Sequence, residues 1–277
     1  MKILISADME GATGVTWPGD CQPGTEQWQR CRRMFTSDVN AAIAGFYDGG
    51  ATAVLVNEAH ATMRNLLLEE LDERAVMLTG YHKELSMVEG IQQDDVAAVA
   101  FIGYHAAAGA EGVLAHTYLG NSVTRVRVNG EQGSEGRLNT HVADQFGVPV
   151  VLVTGDDRTC ADAAGYAPAA RSVAVKQCIS RYAAVCRPPA VTAAEIRSAA
   201  KEAAGLARRK PPVQAGGFVV EVEVDAAQLA QAAAFVPGVR RTGERQVEYT
   251  STTAWDMQRT FRVVCTMISS AIEETYG

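Results

Sequence analysis

The sequence lacks an excess of positive charge and lacks any long run of apolar residues. Its 25 lysines and arginines are outnumbered by 32 aspartates and glutamates, which gives a formal net charge of −7 at pH 7. A chain with this charge is poorly suited to nucleic acid or to an anionic membrane surface. The longest apolar run, around residues 96–104, is far shorter than the roughly 20 residues that a membrane-spanning helix needs. We therefore expect neither a nucleic-acid partner nor a membrane partner.

The sequence also lacks several motifs that would identify its chemistry at once. Its six cysteines show no Cys-x-x-Cys spacing, which argues against a zinc ribbon and against a thioredoxin-like redox pair. There is no phosphate-binding G-x-x-x-x-G-K-[ST] loop, no G-x-G-x-x-G turn, no G-x-S-x-G elbow and no H-E-x-x-H helix. No secretory signal is visible, so we expect free thiols and a cytoplasmic location.

What the sequence contains favours an α/β fold. The 277 residues are 47% hydrophobic and 21% charged, enough for one large domain or two smaller ones. Apolar residues at spacings of three and four predict a helix over Glu26–Asp48. The alternation of helical patterns with short apolar runs predicts an open, largely parallel sheet with flanking helices. The predicted strands cover residues 2–7, 52–56, 76–79, 96–102, 149–154 and 172–175.

The later part of the chain suggests a second, smaller unit. Residues 123–128 alternate and lead into Asn129-Gly130, a strong hairpin signal, and Ser134 is a candidate cap for the next helix. After Pro188-Pro189, residues 192–195 read T-x-x-E, a capping box that predicts a helix start. An alternating strand over Phe218–Val224 and a terminal amphipathic helix follow. We predict an α/β domain over residues 1–187 and a smaller α/β domain over residues 188–277.

Polar side chains follow three of the predicted strands. Asp8 and Glu10 come directly after the first strand, His60 follows the second, and His105 follows the strand Val96–Ile102. The carboxyl ends of parallel strands meet at one edge of a sheet, where ligands bind. Each such residue alone is more often structural, as a solvated turn, a cap or a core histidine. Together, carboxylates and imidazoles suit zinc or a similar divalent ion.

Other polar residues stand near this pattern. Glu135 begins the helix after the hairpin signal, and His116 lies eleven residues beyond His105. Asp156 and Asp157 follow another predicted strand and either cap a helix or join the site. The remaining histidines, which lie outside the pattern and are interpreted as surface or core residues, are His82 and His141.

Eight segments in order resemble the D-aminopeptidase family of zinc metallopeptidases: SADMEG, VNEAH, SMVEG, FIGYHA, GVLAHT, GSEGRLN, VTGDDR and AVKQCISR. The similarity covers about residues 1–187 and continues more loosely beyond them. It implies an aminopeptidase for short peptides with two Zn²⁺ per chain. It also implies a cytoplasmic homo-decamer of two stacked pentamers whose sites face an inner chamber. Residues 20–26 and those beside Glu135 depart from the family pattern, so the choice between D- and L-substrates stays open.

The resemblance also implies roles for individual residues. His116 matches the family's catalytic histidine, described as a nucleophile; we favour proton transfer, to which an imidazole is suited. Five ligands serve two ions if one carboxylate bridges, and Asp8 at the strand tip is our candidate. We further expect Asp156 and Asp157 to orient the ligating histidines. The implied metal ligands are Asp8, Glu10, His60, His105 and Glu135.

Three alternatives stay open at this point. They are a metal-dependent amidase or phosphoesterase with the same ligands, an L-specific aminopeptidase of the same family, and a metal-binding scaffold without activity. The sequence places no basic cluster near the ligands, which counts against phosphate substrates. The presence of His116 counts against the inactive scaffold.

Overall fold

The computed structural model describes residues 1–213 and 216–272. None of the helices in this part of the chain combines the length and the apolar character that spanning a membrane requires. The strands are β1 (Lys2–Ala7), β2 (Ala53–Glu58), β3 (Ala75–Leu78), β4 (Val96–Ile102), β5 (Val123–Val128), β6 (Glu131–Gln132), β7 (Val150–Asp156), β8 (Arg171–Ser180), β9 (Ala183–Cys186), β10 (Phe218–Val224), β11 (Arg240–Gly243) and β12 (Gln246–Ser251). The α-helices are α1 (Pro18–Cys21), α2 (Glu26–Asp48), α3 (Glu135–Gln145), α4 (Asp157–Tyr166), α5 (Pro189–Ala204), α6 (Ala227–Ala233) and α7 (Ala254–Ser270).

The larger sheet has the strand order β3-β2-β1-β4-β7-β8-β9. Its first six strands run parallel, and β9 pairs antiparallel with β8. Ala7 lies beside Glu58 of β2 and beside Ile102 of β4, so these three strands end level with one another. The prediction of a largely parallel α/β sheet is confirmed. The polar residues after β1, β2 and β4 therefore emerge at the same edge.

Both faces of this sheet are buried. Side chains of β1 alternate between two apolar clusters, with Ile3 and Ile5 in one and Leu4 in the other. Helices α2 and α5 join the first cluster, and α3, α7 and the second sheet join the other. Burial on both faces explains why the parallel strands are apolar throughout rather than alternating. Gly45 lets α2 approach α5 closely, because a Cβ there would lie 2.2 Å from the Arg197 carbonyl oxygen.

The smaller sheet is antiparallel, with the order β11-β12-β10-β5-β6. The hairpin signal is confirmed: Asn129 and Gly130, with φ of 52° and 85°, join β5 to β6. Strands from both sides of residue 187 share this sheet, and α5 from beyond it packs against α2. The division of the chain into domains at residue 187 stays a prediction.

Two predicted helix starts have different outcomes. Ser134 caps α3 as expected, because its hydroxyl accepts a hydrogen bond from the Arg137 amide at 3.2 Å. The prediction that a capping box at residues 192–195 starts a helix is wrong, since α5 begins three residues earlier at Pro189. Proline fixes the backbone in a helical φ and suits the first turn, where an amide hydrogen has no partner. Thr192 lies inside the helix, and its hydroxyl donates to the Pro189 carbonyl.

Candidate metal centre

The loops that carry the candidate ligands are joined to one another by backbone hydrogen bonds beyond the ends of the strands. The Asp8 amide donates to Ile102 and the Gly11 amide donates to Gly103, both at 2.8 Å. Gly103 has a φ of +73°, and a Cβ on it would lie 2.1 Å from the Asp8 carbonyl oxygen. A Cβ on Gly11 would lie 1.8 Å from the Tyr104 carbonyl oxygen. The glycines of SADMEG and FIGYHA thus allow this close approach.

A buried lysine also holds the loop after β1. The Lys176 ammonium, on β8, donates to the carbonyl oxygens of Glu10, Ala12 and Val15 at 2.6, 3.0 and 2.6 Å. Lys176 is 2% exposed, so these three bonds replace water around its charge. The sequence contained this residue in the segment AVKQCISR, but nothing in its spacing indicated that it supports the ligand loop.

The structure brings the five predicted ligands together around Asp8. Asp8 Oδ1 lies 3.4 Å from His60 Nδ1, and Asp8 Oδ2 lies 3.3 Å from His105 Nε2. His60 Nδ1 also lies 2.9 Å from Glu10 Oε2. His105 Nε2 also lies 3.5 Å from Glu135 Oε1. We call Asp8, Glu10 and His60 the Glu10 half, and Asp8, His105 and Glu135 the Glu135 half.

These separations and this burial fit a divalent cation in each half. Ligands at about 2.1 Å from a tetrahedral zinc ion lie about 3.4 Å from one another. All five side chains are buried, and three of their atoms have no hydrogen-bond partner within the described part of the chain. Leaving buried polar atoms without partners is costly, and a cation would satisfy them. These atoms are Asp8 Oδ2, Glu10 Oε2 and His105 Nε2.

The clustered carboxylates attract positive charge to this point. Burial opposes the charged form of His60, but Glu10 and Asp8 outweigh it and hold the pKa of His60 well above its usual value. Burial likewise opposes the charged form of His105, whose pKa Glu135 and Asp8 hold well above its usual value. Burial and the charge of Glu10 raise the pKa of Asp8. The cluster therefore favours bound protons or a bound metal over three bare carboxylate charges.

His116 lies against the cluster on a separate loop. Its ring stacks on that of His105, with centroids 4.1 Å apart and an interplanar angle of 6°. Its Nδ1 lies 2.8 Å from the Leu114 carbonyl oxygen, and its Nε2 lies 3.6 Å from Glu10 Oε1. Burial, followed by the charge of His105, lowers the pKa of His116. Because Nδ1 donates to Leu114, Nε2 carries the lone pair.

Asp156 takes the first of its two expected roles, that of a helix cap. Asp156 caps α4 by accepting from the Thr159 amide, and its other oxygen accepts from the Val113 amide, each at 2.7 Å. Asp157 accepts from the Cys178 amide at 2.6 Å. Asp156 therefore fixes the loop that leads to His116 rather than the ring of a histidine.

Backbone carbonyls, not carboxylates, hold the outer nitrogens of the two candidate ligand histidines. His60 Nε2 lies 3.1 Å from the Cys21 carbonyl oxygen, and His105 Nδ1 lies 3.0 Å from the Ala106 carbonyl oxygen. The expectation that the two aspartates orient these rings is wrong. Hydrogen bonds of this kind fix the tautomer that presents the other nitrogen to a metal.

A cavity of about 960 Å³ opens from the ligands. Its wall includes residues 81–84, which contribute Lys83, and the helix α7, which brings Arg259 and Arg262 to the site. The expectation that no basic cluster lies near the ligands is wrong, because folding adds a helix from the far end of the chain. His82 lines the same cavity as an exposed residue, whereas His141 packs against Phe218 away from it.

Lys83 is the most buried of these basic residues. Its ammonium donates to Asn57 Oδ1 at 2.6 Å and to the Glu58 carbonyl oxygen. Burial lowers the pKa of Lys83 to about 8. Arg262 donates to the Lys83 carbonyl oxygen at 2.5 Å and so joins α7 to this wall. The exposed Arg259 lies 3.8 Å from Glu84.

Comparison with known proteins decides the family. Residues 1–263 match the family model described as D-aminopeptidase. The chain belongs to the D-aminopeptidase family. It is 33% identical over 280 residues to the D-aminopeptidase of Bacillus subtilis (strain 168), and the match covers 100% of both chains. The family resemblance stated from the sequence, and the assignment to the metallopeptidases, are confirmed.

A solved structure of the family has the same fold. It is described as the zinc-dependent D-aminopeptidase DppA from Bacillus subtilis, a self-compartmentalizing protease. The match has a TM-score of 0.92 at 32% identity and covers 97% of this chain and 98% of that one. The sheet whose strand ends carry the candidate ligands therefore has the fold of a solved D-aminopeptidase.

Proposed function

We propose that this protein is a dinuclear zinc aminopeptidase that releases N-terminal D-residues from short peptides. The Glu10 half and the Glu135 half would each hold one zinc ion, with Asp8 as a ligand common to both halves. The observation that carries the proposal is the position of Asp8, whose two carboxylate oxygens each lie within 3.4 Å of a different histidine. The names of the relatives support both zinc and the D-configuration.

Bound zinc would supply a Lewis acid for the scissile carbonyl and for the attacking water. His116 would accept the proton of that water at Nε2 and return it to the leaving amine. The hydrogen bond from Nδ1 to Leu114 supports this role, since it leaves Nε2 as the basic nitrogen. Nucleophilic attack by His116 is the competing role, and a trapped covalent adduct would favour it.

The shape and charge of the cavity support a short peptide as the substrate. A volume of about 960 Å³ accommodates a small peptide rather than a folded chain. The carboxylates at the ligand end attract a free amino terminus. Lys83 and Arg259 in the wall suit the free carboxylate at the other end of the peptide.

A phosphoesterase is the second candidate, because the same basic wall suits a phosphate and two-metal sites also catalyse phosphoryl transfer. A panel of free-amine dipeptides, N-blocked dipeptides and p-nitrophenyl phosphate distinguishes the two. We expect hydrolysis of the free-amine dipeptides alone. Paired D- and L-dipeptides then test the proposed configuration, with faster hydrolysis of the D-forms expected.

We also propose a homo-oligomer of ten chains in two stacked pentamers, located in the cytoplasm. The description of the relative as self-compartmentalizing supports an assembly with an enclosed chamber. The six cysteines, all free in the described residues, support a reducing compartment. Light scattering at micromolar concentration tests the assembly, and a monomer would contradict it.

The metal is tested by elemental analysis of the purified protein. We expect close to two zinc equivalents per chain and loss of hydrolysis after chelation. A protein without divalent transition metal whose activity is unaffected by chelator would contradict the proposal.

A further inference from the structure

We propose that the thiolate of Cys21 is a fourth protein ligand of the zinc ion in the Glu10 half. The inference rests on the proposed function, because it assigns a ligand to one of the two proposed ions. Cys21 is the last residue of the short helix α1.

The position of the thiol carries the inference. Ligand atoms of Glu10, Cys21 and His60 all lie within 4.8 Å of one another, and all three residues are buried. Cys21 is 7% exposed and lines a second cavity of about 350 Å³ together with Glu10, His60 and His116. A buried thiol in an apolar core is inert, but this one shares its surroundings with a carboxylate and an imidazole.

A second observation at the same place points to a cation. Glu10 Oε2 is buried and lies 2.9 Å from His60 Nδ1, but these two atoms are not aligned as a hydrogen bond, and this oxygen has no other partner within the described residues. Glu10 is 7% exposed, so little of its side chain faces solvent. A cation between Glu10, His60 and Cys21 would satisfy this oxygen, and zinc accepts oxygen, nitrogen and sulfur ligands.

The backbone of Cys21 already takes part in the site. Its carbonyl oxygen lies 3.1 Å from His60 Nε2, so the same residue orients the imidazole and presents a thiol beside it. The loop before it is fixed by Asp20, which accepts from the amides of Thr16 and Trp17 at 2.9 Å. The backbone that carries the thiol is therefore held beside His60.

Coordination replaces one bond by another. The S–H bond of Cys21 breaks, a zinc–sulfur bond forms, and the proton passes to solvent. The Glu10 half then has four protein ligands, as structural zinc sites do, whereas the Glu135 half has three. Catalytic zinc sites keep a position for water or substrate. The two ions would thus differ in role, with the Glu135 half as the site of chemistry.

X-ray absorption at the zinc edge tests the inference on the full-length protein loaded with zinc. We expect a sulfur shell at about 2.3 Å, averaging half a sulfur per zinc when two ions are bound. Cys21→Ser should lose this shell and raise the Kd of one of the two zinc ions at least tenfold. Cys31→Ser is the matched control, since Cys31 is also buried in the cluster that contains Cys21, and it should keep the shell.

Three outcomes are distinguishable. A sulfur shell that disappears in Cys21→Ser and persists in Cys31→Ser supports the inference. Two zinc ions per chain with nitrogen and oxygen neighbours alone overturn it and leave the proposed function intact. A chain that binds no zinc overturns the inference and contradicts the proposed function as well. The spectrum of the unmodified protein decides the question even if a variant fails to fold.

Discussion

Replacing Lys176 by methionine should destabilise the fold and loosen the proposed metal site together. Methionine has a similar length but no charge and no donor, so the carbonyl oxygens of Glu10, Ala12 and Val15 lose their partner. Each buried acceptor left without a partner costs about 1–3 kcal/mol. Removal of the costly buried charge offsets part of that sum. Since three acceptors lose their donor and only part of that cost is offset, we expect a net loss of about 3–5 kcal/mol.

Urea unfolding of the metal-free protein at a fixed protein concentration measures the loss of stability. A zinc titration of the folded variant measures the second effect, for which we expect a 10–100-fold weaker affinity because Glu10 is less firmly positioned. Lys201→Met is the control: Lys201 is exposed on α5, and its replacement should change stability by less than about 0.5 kcal/mol. If Lys176→Met unfolds like the parent and binds zinc as tightly, the support that we assign to Lys176 is refuted.

Three further predictions concern other residues. His116→Ala should keep its zinc and its fold but lose about 10²–10⁴-fold in kcat, measured by dipeptide hydrolysis; a rate close to the parental one removes His116 from the mechanism. Glu135→Ala should bind less zinc by elemental analysis, whereas His82→Ala should not; equal zinc contents would contradict the ligand assignment. Burial raises the pKa of Asp38, on α2, from its usual 3.8 to about 6. Between pH 3.8 and about pH 6, the folded state therefore binds more protons than the unfolded state. The contribution of Asp38 to stability therefore falls by about 2 kcal/mol as pH rises from 4 to 6. Asp38→Asn should remove this decline from urea unfolding measured across that range, and an unchanged pH dependence would contradict it.

The sequence predicted the features that depend on local patterns. Buried strands such as β1 and β4 appear as short apolar runs because both faces of a parallel sheet are covered. The polar residues that follow these strands, Asp8 and His105, could be assigned to the same edge of the sheet because parallel strands end together. The fold class and the meeting of the candidate ligands followed from these two properties and from the family resemblance.

The features that the sequence could not predict depend on contacts between distant segments. Arg259 reaches the cavity because α7 folds back over it, and Lys176 reaches the β1 loop from β8. The pairing of β5 with β10 likewise joins strands about 90 residues apart. The T-x-x-E pattern at Thr192 failed for another reason, since Pro189 starts the helix earlier. Two helix-start signals, Pro189 and the T-x-x-E pattern, lie three residues apart, and the sequence alone does not show which of them begins the helix.

Anomalous diffraction at the zinc edge, on crystals of the zinc-loaded protein, would locate both proposed ions. We expect two zinc peaks about 3.5–4 Å apart, one on each side of the Asp8 carboxylate. The first should lie beside Glu10 and His60, and the second beside His105 and Glu135. A single peak, or two peaks that do not share Asp8, would contradict the dinuclear site.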